Sequence, residues 1–429
     1  MLGGELAGHR DFRRLWAAQA ISALGSRFSR TVLPLLAVVS LAATPGDMVL
    51  LGMLGMIPGI VVGLFLGGTI DRSRKRALMI GCDVARAVVL LWVPIAVWLD
   101  VLTLMQVMVV TAVSGLFTAL FHVADNAYLP SVVPREHLVE GNSKLTFSES
   151  VAEITGPALG GWVMQLLGAP LAILTDAISY LASAVLLRRI EVKEAPVEGS
   201  ARPRPWQDLK VGLGTAWTRS PLRPLLLVHA GSSFFGGFFF ALYYLYCVNT
   251  LGLGVGLIGA VIGAGGIGAL LGSRIAEPLV RRLRLGPTLI VMLALSELSA
   301  LFLPAAAVSS STLLVVVCLV AHQLLSDGCH VAYEILAVSV RQTVLPEDRR
   351  GRVEATWQLT GSALLLMGAL VAERIASGVS VPFAVLVGVL GGLVNPVLLV
   401  FSRIPALTGL EELSERDLER PAGGPPPPV

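Results

Sequence analysis

Long apolar runs alternate with short polar segments along the chain, and each run is long enough to cross a bilayer as a helix. One crossing needs about 20 apolar residues. We therefore predict an all-α polytopic membrane protein with twelve transmembrane helices, numbered here in chain order. The predicted helices cover residues 15–41, 49–70, 77–98, 104–129, 142–167, 169–187, 225–249, 254–276, 286–307, 312–337, 354–375 and 382–402.

Arginine and lysine fall almost entirely in every second polar segment. Cytoplasmic loops carry an excess of these residues, so the asymmetry predicts on which side each loop lies. With the N-terminus inside, the opposite loops hold essentially only Arg374. We expect both termini to be cytoplasmic and the protein to be integral to the plasma membrane. The residues placed inside are Arg10, Arg13, Arg14, the cluster 72–76, Arg135, Arg188, Arg189, Arg281, Arg282, Arg284, Arg349, Arg350, Arg352 and Arg403.

One long polar stretch interrupts the apolar pattern near the middle of the chain. Residues 191–222 are rich in charge and proline, which predicts a cytoplasmic linker between two six-helix halves, 1–190 and 223–405. The halves look like repeats, because the charged segment after helix 2 is echoed by residues 277–284 after helix 8. Residues 406–429 end in Gly-Gly-Pro-Pro-Pro-Pro-Val, which predicts a disordered cytoplasmic tail.

Composition narrows the class of protein further. With 55% hydrophobic and 14% charged residues, the 429-residue chain is too apolar for an ordinary soluble protein. It has no phosphate-binding Gly-x-x-x-x-Gly-Lys-Ser/Thr loop, no His-Glu-x-x-His and no nucleophile elbow. Its four cysteines show no paired spacing for zinc or disulfides. We expect a protein that is not an enzyme, holds no cofactor or metal, and binds no nucleic acid.

An apolar run with a glycine at every fourth position is followed by a cluster of charged residues between helices 2 and 3. Glycines 55, 59, 63 and 67 form one stripe of helix 2, where another backbone can approach closely. The segment that follows resembles the loop signature of the major facilitator superfamily, Gly-x-x-x-Asp-Arg-x-Gly-(Arg/Lys)-(Arg/Lys), although Arg74 stands where the commonest form has glycine. The later Asp-x-x-Arg pair resembles the macrolide-efflux-like branch of drug:proton antiporters. The matching residues are Gly67, Asp71, Arg72, Lys75, Arg76, Asp83 and Arg86.

The resemblance implies that this loop is a gate. In the family, the loop aspartate and arginines form a charge relay that locks the two halves of the carrier at the cytoplasmic side. Asp71, Arg72, Arg76 and Asp83 would take that part here. The plainer interpretation is a solvated loop whose positive charge only sets topology. The glycine stripe and Asp71 together favour the gate.

Helix 5 carries a second match to the same branch. Gly156, Pro157 and Gly160 resemble the antiporter signature Gly-Pro-x-x-Gly, whose kink and smooth face would pack the two halves together at the outside. An ordinary proline kink with small-residue packing is the plainer interpretation, and the two are compatible. The resemblance covers most of residues 10–405.

Ionisable groups inside the predicted spans are functional candidates, because each costs roughly 2.5–3.5 kcal/mol on insertion. Where the branch often has arginine in helix 4, this chain has Asp125. Either Asp125 and Glu149 carry a coupled proton, or they are structural counter-ions of Arg27 and Arg30. Helix 10 aligns four polar residues on one face. The candidates for proton coupling or substrate binding are Arg27, Arg30, His122, Asp125, Glu149, Asp327, His330 and Glu334.

Helix 7 crowds aromatic residues into less than four turns. Some of them would form an interfacial belt. Others could line a cavity and offer flat contacts to a large apolar or cationic solute. The cavity candidates are Phe235, Phe239, Tyr243 and Tyr244.

Together these patterns predict a secondary active transporter in the lipid bilayer. The resemblance implies export of a hydrophobic or amphipathic small molecule, such as a drug, antibiotic or secondary metabolite, by proton antiport with alternating access. The alternatives are an uptake carrier or siderophore exporter of the same fold, and, less favoured, a membrane-embedded enzyme.

Overall fold

The structure is a computed structural model that describes residues 5–63, 73–192, 205–219, 221–411 and 413. Every regular element within these ranges is a helix. The all-α class predicted from the apolar runs is therefore confirmed.

The twelve predicted membrane helices are all represented. Ten helices of the described ranges are long and apolar enough to cross a membrane, one of them holds two crossings, and a shorter apolar helix, Pro45–Val61, completes the set. They are α1 (Arg10–Leu41), α2 (Pro45–Val61), α3 (Lys75–Trp98), α4 (Leu104–Val132), α5 and α6 (the parts of Leu138–Arg188 before and after Gly168), α7 (Leu222–Leu245), α8 (Val255–Leu283), α9 (Leu285–Ser299, continued by Phe302–Ala307), α10 (Thr312–Val344), α11 (Glu347–Gly378) and α12 (Val381–Gly392, continued by Val394–Val400).

Local sequence explains where several of these helices begin. Thr44 caps α2 in a capping box, in which its backbone N–H donates to Asp47 at 2.8 Å. Thr103 and Gln106 form the same arrangement at the start of α4. Such caps satisfy N–H groups that have no partner within the helix.

Gly168 separates α5 from α6. Its φ of 81° and ψ of 164° are far from helical values, although the segments on both sides are helical. Glycine reaches this region without steric cost, whereas a side chain would be strained. The single apolar run of residues 138–188 thus becomes two crossings.

The first compact unit comprises Met1–Pro203 and Ala241–Gly266. In it α1 packs along α5 and α6, α3 lies against α4 and α6, and α2 lies against α4. Its core includes Phe12, Leu15, Met79 and Tyr128. Gly55 of α2 faces α4, since a Cβ added to Gly115 would lie 2.7 Å from the carbonyl oxygen of Gly55.

The second compact unit comprises Arg204–Phe240 and Ile267–Val429. In it α9 packs on α10 and α12, and α11 packs on the linker helix Pro205–Thr218. Tyr333, Leu336 and Trp357 belong to its core. The residues from Ala241 onward in α7 and the first part of α8 are members of the first unit. The predicted boundaries at residues 190, 222 and 405 stay predictions.

Candidate functional site

The first unit contains a cavity between α1, α3, α4 and α5. It encloses about 370 Å³ of space between atoms, part of it open to solvent. Apolar, aromatic, hydroxyl and charged side chains meet there, so the cavity is amphipathic. Its lining residues are Gln19, Ala20, Ser22, Ala23, Ser26, Arg86, Phe121, His122, Asp125, Leu145, Ser148 and Glu149.

Asp125 of α4 enters this cavity together with a neutral partner. Its carboxylate accepts a hydrogen bond from the side-chain amide of Gln19 on α1. Glu149 of α5 and His122 of α4 line the same space. Three candidates that the sequence placed on two different helices therefore share one cavity, whereas Gln19 was not foreseen.

Arg27 is paired with a different acid from those proposed as its counter-ions. Its Nη2 lies 2.6 Å from Glu153 Oε2, and this pair joins α1 to α5. Glu149 also lies within electrostatic range of Arg27, but its interaction with Arg27 is weaker than that of Glu153. Arg30 contributes its backbone carbonyl, which accepts from the hydroxyl of Tyr244 at 3.4 Å. The ion pair of α1 is thus made one helical turn beyond Glu149, which leaves Asp125 with the amide of Gln19.

The Asp83–Arg86 pair forms part of the cavity wall. The two residues are 0% and 1% exposed, and Arg86 Nη2 contacts both Asp83 and the hydroxyl of Ser22, the latter at 3.1 Å. The central carbon of the guanidinium lies 4.6 Å from the ring centre of Phe121 and 4.2 Å from that of Tyr180. Such cation–π contacts stabilise a desolvated guanidinium. The pair lies within α3, beyond its first two turns.

The rest of the predicted gating loop is only partly described. Gly67, Asp71 and Arg72 lie outside the described residues. Lys75 is buried at the start of α3, and Arg76 Nε donates to the carbonyl of Leu187 at 2.9 Å. Arg76 also donates to the carbonyl of Arg188 and so ties the beginning of α3 to the end of α6.

The helix-5 glycines sit where other helices come very close. A Cβ on Gly156 would lie 2.5 Å from Cβ of Arg27, and one on Gly160 would lie 3.3 Å from Val32. On the opposite side, a Cβ on Gly259 of α8 would lie 2.3 Å from the carbonyl oxygen of Pro157. The Gly-Pro-x-x-Gly segment is therefore packed between α1 and the part of α8 in the first unit.

A second buried acid of the first unit carries no predicted role. Asp176 of α6 is 2% exposed and accepts hydrogen bonds from Ser29 of α1 and, at 3.2 Å, from Ser179. Gly25 of α1 makes room for it, since a Cβ there would lie 2.3 Å from Asp176 Oδ1. Gly25 is a sequence signal for the contact between α1 and Asp176, but it does not by itself identify α6 as the neighbouring helix.

The polar stripe of α10 belongs to the second unit. Asp327, His330 and Glu334 are not among the residues that line the cavity of the first unit. His330 lies near Tyr333, with ring centroids 6.3 Å apart, and within electrostatic range of Glu297 on α9. Glu297 was not among the predicted site residues.

The four candidate aromatics of α7 have different surroundings. Phe235 packs against α12, because a Cβ on Gly391 would lie 2.0 Å from its ring. This contact favours a packing role for Phe235. Tyr243 and Tyr244 stack edge to face at 6.1 Å in the first unit, and Phe239 is half-buried in the second.

Truncating the less tightly packed aromatics is expected to change which solutes are carried. Phe239→Ala and Tyr244→Ala each remove a flat ring that an apolar or cationic solute could contact. We expect altered resistance to some members of a dye and antibiotic panel, measured in a drug-sensitive host. Phe401→Leu is the matched control, since Phe401 is 86% exposed. Unchanged profiles for both alanine variants would leave the interfacial belt as the interpretation.

Most of this chain matches one known protein family. A family model described as Major Facilitator Superfamily matches residues 15–340. The chain belongs to the major facilitator superfamily. This is a family of membrane transporters rather than of enzymes.

Similar curated proteins include several exporters. The chain is 32% identical over 173 residues to the uncharacterized MFS-type transporter YfiS of Bacillus subtilis, with 40% of each chain covered. It is 29% identical over 181 residues to macrolide efflux protein A of Streptococcus pyogenes, covering 39% of this chain and 44% of that one. These two matches span less than half of the relatives' length. Multidrug efflux pump Tap of Mycobacterium tuberculosis is 25% identical over 427 residues, covering 95% of this chain and 96% of Tap.

Solved structures share the fold at low identity. A bacterial homologue of the iron transporter ferroportin, crystallised in an inward-facing state, has a TM-score of 0.66 at 19% identity, covering 94% of this chain and 100% of that one. A point mutant of the nucleoside transporter NupG has a TM-score of 0.71 at 10% identity, covering 91% of this chain and 99% of that one.

In the described ranges no group of three or more His, Cys, Asp or Glu residues is placed to hold a metal ion.

Proposed function

We propose that this transporter exports a hydrophobic or amphipathic small molecule across the plasma membrane by proton antiport with alternating access. The amphipathic cavity of the first unit carries the proposal, because it combines apolar and aromatic walls with two carboxylates, Asp125 and Glu149. Similarity to macrolide efflux protein A and to the multidrug efflux pump Tap supports the direction of transport.

The chemistry of Asp125 suits a group that alternates between proton and substrate. The hydrogen bond that it accepts comes from the neutral amide of Gln19. Protonation of Asp125 therefore leaves no cation without a counter-ion. Burial disfavours a charged carboxylate, and a solute cation or polar group next to it favours the charged form. Substrate and proton then compete for the same carboxylate. That competition is the minimum that antiport requires.

The charged loop after α2 is assigned the part of a cytoplasmic latch. Asp71, Arg72 and Arg76 would hold the closed state by charge contacts, with both termini in the cytoplasm. The contacts of Arg76 with the end of α6 support this part, since they anchor the described end of the loop.

Neutralising Asp125 is expected to abolish the effect of a proton gradient on transport. In inverted vesicles, parent protein should accumulate radiolabelled erythromycin more strongly when the lumen is acidic than without a gradient. Asp125→Asn keeps the size of the side chain and removes its titration, so accumulation should fall to the level without a gradient. Exchange of labelled for unlabelled erythromycin should persist.

The matched control for this measurement is Asp100→Asn. Asp100 is exposed after α3 and has a φ of 54°, a conformation that asparagine also adopts readily. If accumulation of erythromycin and of ethidium in parent vesicles does not depend on the gradient, proton antiport is wrong. If accumulation by Asp125→Asn responds to the gradient as the parent's does, the coupled proton is carried instead by Glu149, Asp327, His330 or Glu334.

A further inference from the structure

Glu297 of α9 carries a carboxylate inside the second unit that the proposed transport cycle has not used. Its Oε1 accepts hydrogen bonds from Asn395 Nδ2 of α12 at 2.9 Å and from Ser232 Oγ of α7 at 3.2 Å. Asn395 Nδ2 also lies 3.1 Å from Ser232 Oγ. The three side chains form a closed triangle that joins three helices. Asn395 is only 1% exposed, so the triangle has a fixed, desolvated wall.

Two glycines make the space for this triangle. A Cβ on Gly392 of α12 would lie 2.4 Å from Glu297 Oε2, and a Cβ on Gly231 of α7 would lie 2.1 Å from Asn395 Oδ1. At both positions a side chain would require the carboxyl of Glu297 or the amide of Asn395 to move. The backbone has therefore been left bare where it faces the acid and its amide partner.

Helix α12 is interrupted next to this triangle. Helix α12 is interrupted at Leu393, between Val381–Gly392 and Val394–Val400. Pro396 has no N–H, so it cannot donate to the carbonyl of Gly392 four residues earlier. The carbonyl of Gly392 thus lacks its usual helical donor. A charged Glu297 is stabilised by the two donors on Oε1.

Asp83 is the acid of the first unit that corresponds to Glu297, and the two acids differ in their partners. Asp83 on α3 also accepts from a serine of the first helix of its half, Ser22 on α1, at 3.5 Å. Asp83, however, is paired with Arg86 three residues later, and the residue three after Glu297 is Ala300. Among the described residues, no arginine or lysine forms an ion pair with Glu297. Asp83 is paired with a permanent cation, whereas the hydrogen-bond partners of Glu297 are neutral.

The titratable surroundings of Glu297 are few. On α10, His330 and Tyr333 lie within electrostatic range of it. On α7, His229 is turned to the carbonyl of Trp357, at 3.2 Å, and α12 contributes no titratable residue.

We propose that Glu297 is a proton-exchange site of the second unit. It takes up a proton on Oε2 from the side of higher proton activity and releases it to the other side, with one O–H bond formed and the same bond broken per cycle. This inference rests on the proposed proton antiport, to which it adds a site outside the cavity of the first unit. Ser232 and Asn395 position the carboxyl, and Gly392 and Gly231 keep the space around it.

Infrared spectroscopy tests the site without any substrate. Glu297→Gln keeps an acceptor oxygen for Ser232 and Asn395 but cannot titrate. We expect the purified parent protein to show the carbonyl stretch of a protonated carboxylic acid on acidification, and the difference between parent and Glu297→Gln to contain one such band. Ser232→Ala should keep the band and shift its frequency, because one hydrogen bond to the carboxyl is lost. Glu373→Gln is the matched control, since Glu373 is also bonded to a serine, Ser377, at 3.0 Å, but lies near the end of α11.

Transport in the inverted vesicles provides the second readout. Erythromycin accumulation by Glu297→Gln should lose its stimulation by the proton gradient, whereas Glu373→Gln should keep the parent's. A Glu297→Gln variant as strongly coupled as the parent would overturn the proposal. So would a parent spectrum without the band that depends on Glu297 and Ser232.

The outcomes separate this site from the function on which it rests. Parent vesicles without gradient dependence would overturn proton antiport, while the infrared band would still decide whether Glu297 binds a proton. If Glu297→Gln does not fold, Glu297→Asp replaces it, with the band expected to remain at a changed frequency. Gly392→Ala should also shift the band, because a methyl group there displaces Oε2, whereas Gly378→Ala, with no neighbour within 4 Å, should not.

Discussion

Replacing Arg86 by leucine is expected to destabilise the protein by about 3–5 kcal/mol, because it leaves the carboxylate of Asp83 charged and unpaired in the interior. Asp83 is 0% exposed, and Arg86 is the cation that contacts it. The change also removes the two ring contacts with Phe121 and Tyr180. Thermal unfolding of the detergent-purified protein should shift to clearly lower temperature, and the yield of monodisperse protein should fall.

Two further variants show whether charge is the cause. The double variant Asp83→Leu with Arg86→Met removes both charges at similar volume and should recover most of the loss. Arg281→Leu is the matched control, because its pair with Glu277 is 77% exposed on both sides and should matter by less than about 1 kcal/mol. If Arg86→Leu unfolds at the parent's temperature, the pair does not support the fold.

The membrane helices could be predicted because one physical requirement dominates them. A span must be apolar over about 20 residues, and that length is visible in one dimension. The turn at Gly168 could be predicted from an equally local feature, since glycine is the residue that tolerates its φ of 81°. Helix ends were less visible, because caps such as Thr44 with Asp47 depend on two or three residues within a longer polar segment.

Partners between helices could not be predicted in the same way. Spacing along one helix shows that residues share a face, but not which neighbouring helix covers that face. Asp125 therefore had its place predicted but not its partner Gln19. Arg27 was matched with Asp125 and Glu149, whereas its ion pair is with Glu153, one turn from Glu149.

Glu297 was missed for a related reason. It is a single acid in an apolar helix, without the periodic neighbours that drew attention to α10. Its partners Ser232 and Asn395 lie far away in the chain. Only the packing of α7, α9 and α12 brings them together. Glycine pairs would have been the available signal, since Gly231 and Gly392 are adjacent to this triangle.

The contact between α8 and α10 depends on glycine at both helices. A Cβ on Gly272 would lie 1.9 Å from the carbonyl oxygen of Gly328, and one on Gly268 would lie 2.3 Å from that of Leu324. In lipid, helices associate through such close backbone packing, because there is little hydrophobic gain from bringing apolar surfaces together. Gly268 and Gly272 are one helical turn apart, so they make one continuous seam.

Gly272→Val is therefore expected to separate α8 from α10 and to destabilise the second unit by about 3 kcal/mol or more, at the upper end of the cost of overpacking. The branched side chain would need space that backbone atoms occupy, and the backbone of α10 cannot rotate away as a side chain could. The expected readouts are a lower unfolding temperature in detergent and faster proteolysis within the second unit. Gly236→Ala on α7 is the control, since a Cβ there meets nothing within 4 Å. Parent-like stability of Gly272→Val would mean that α8 and α10 do not pack along this seam.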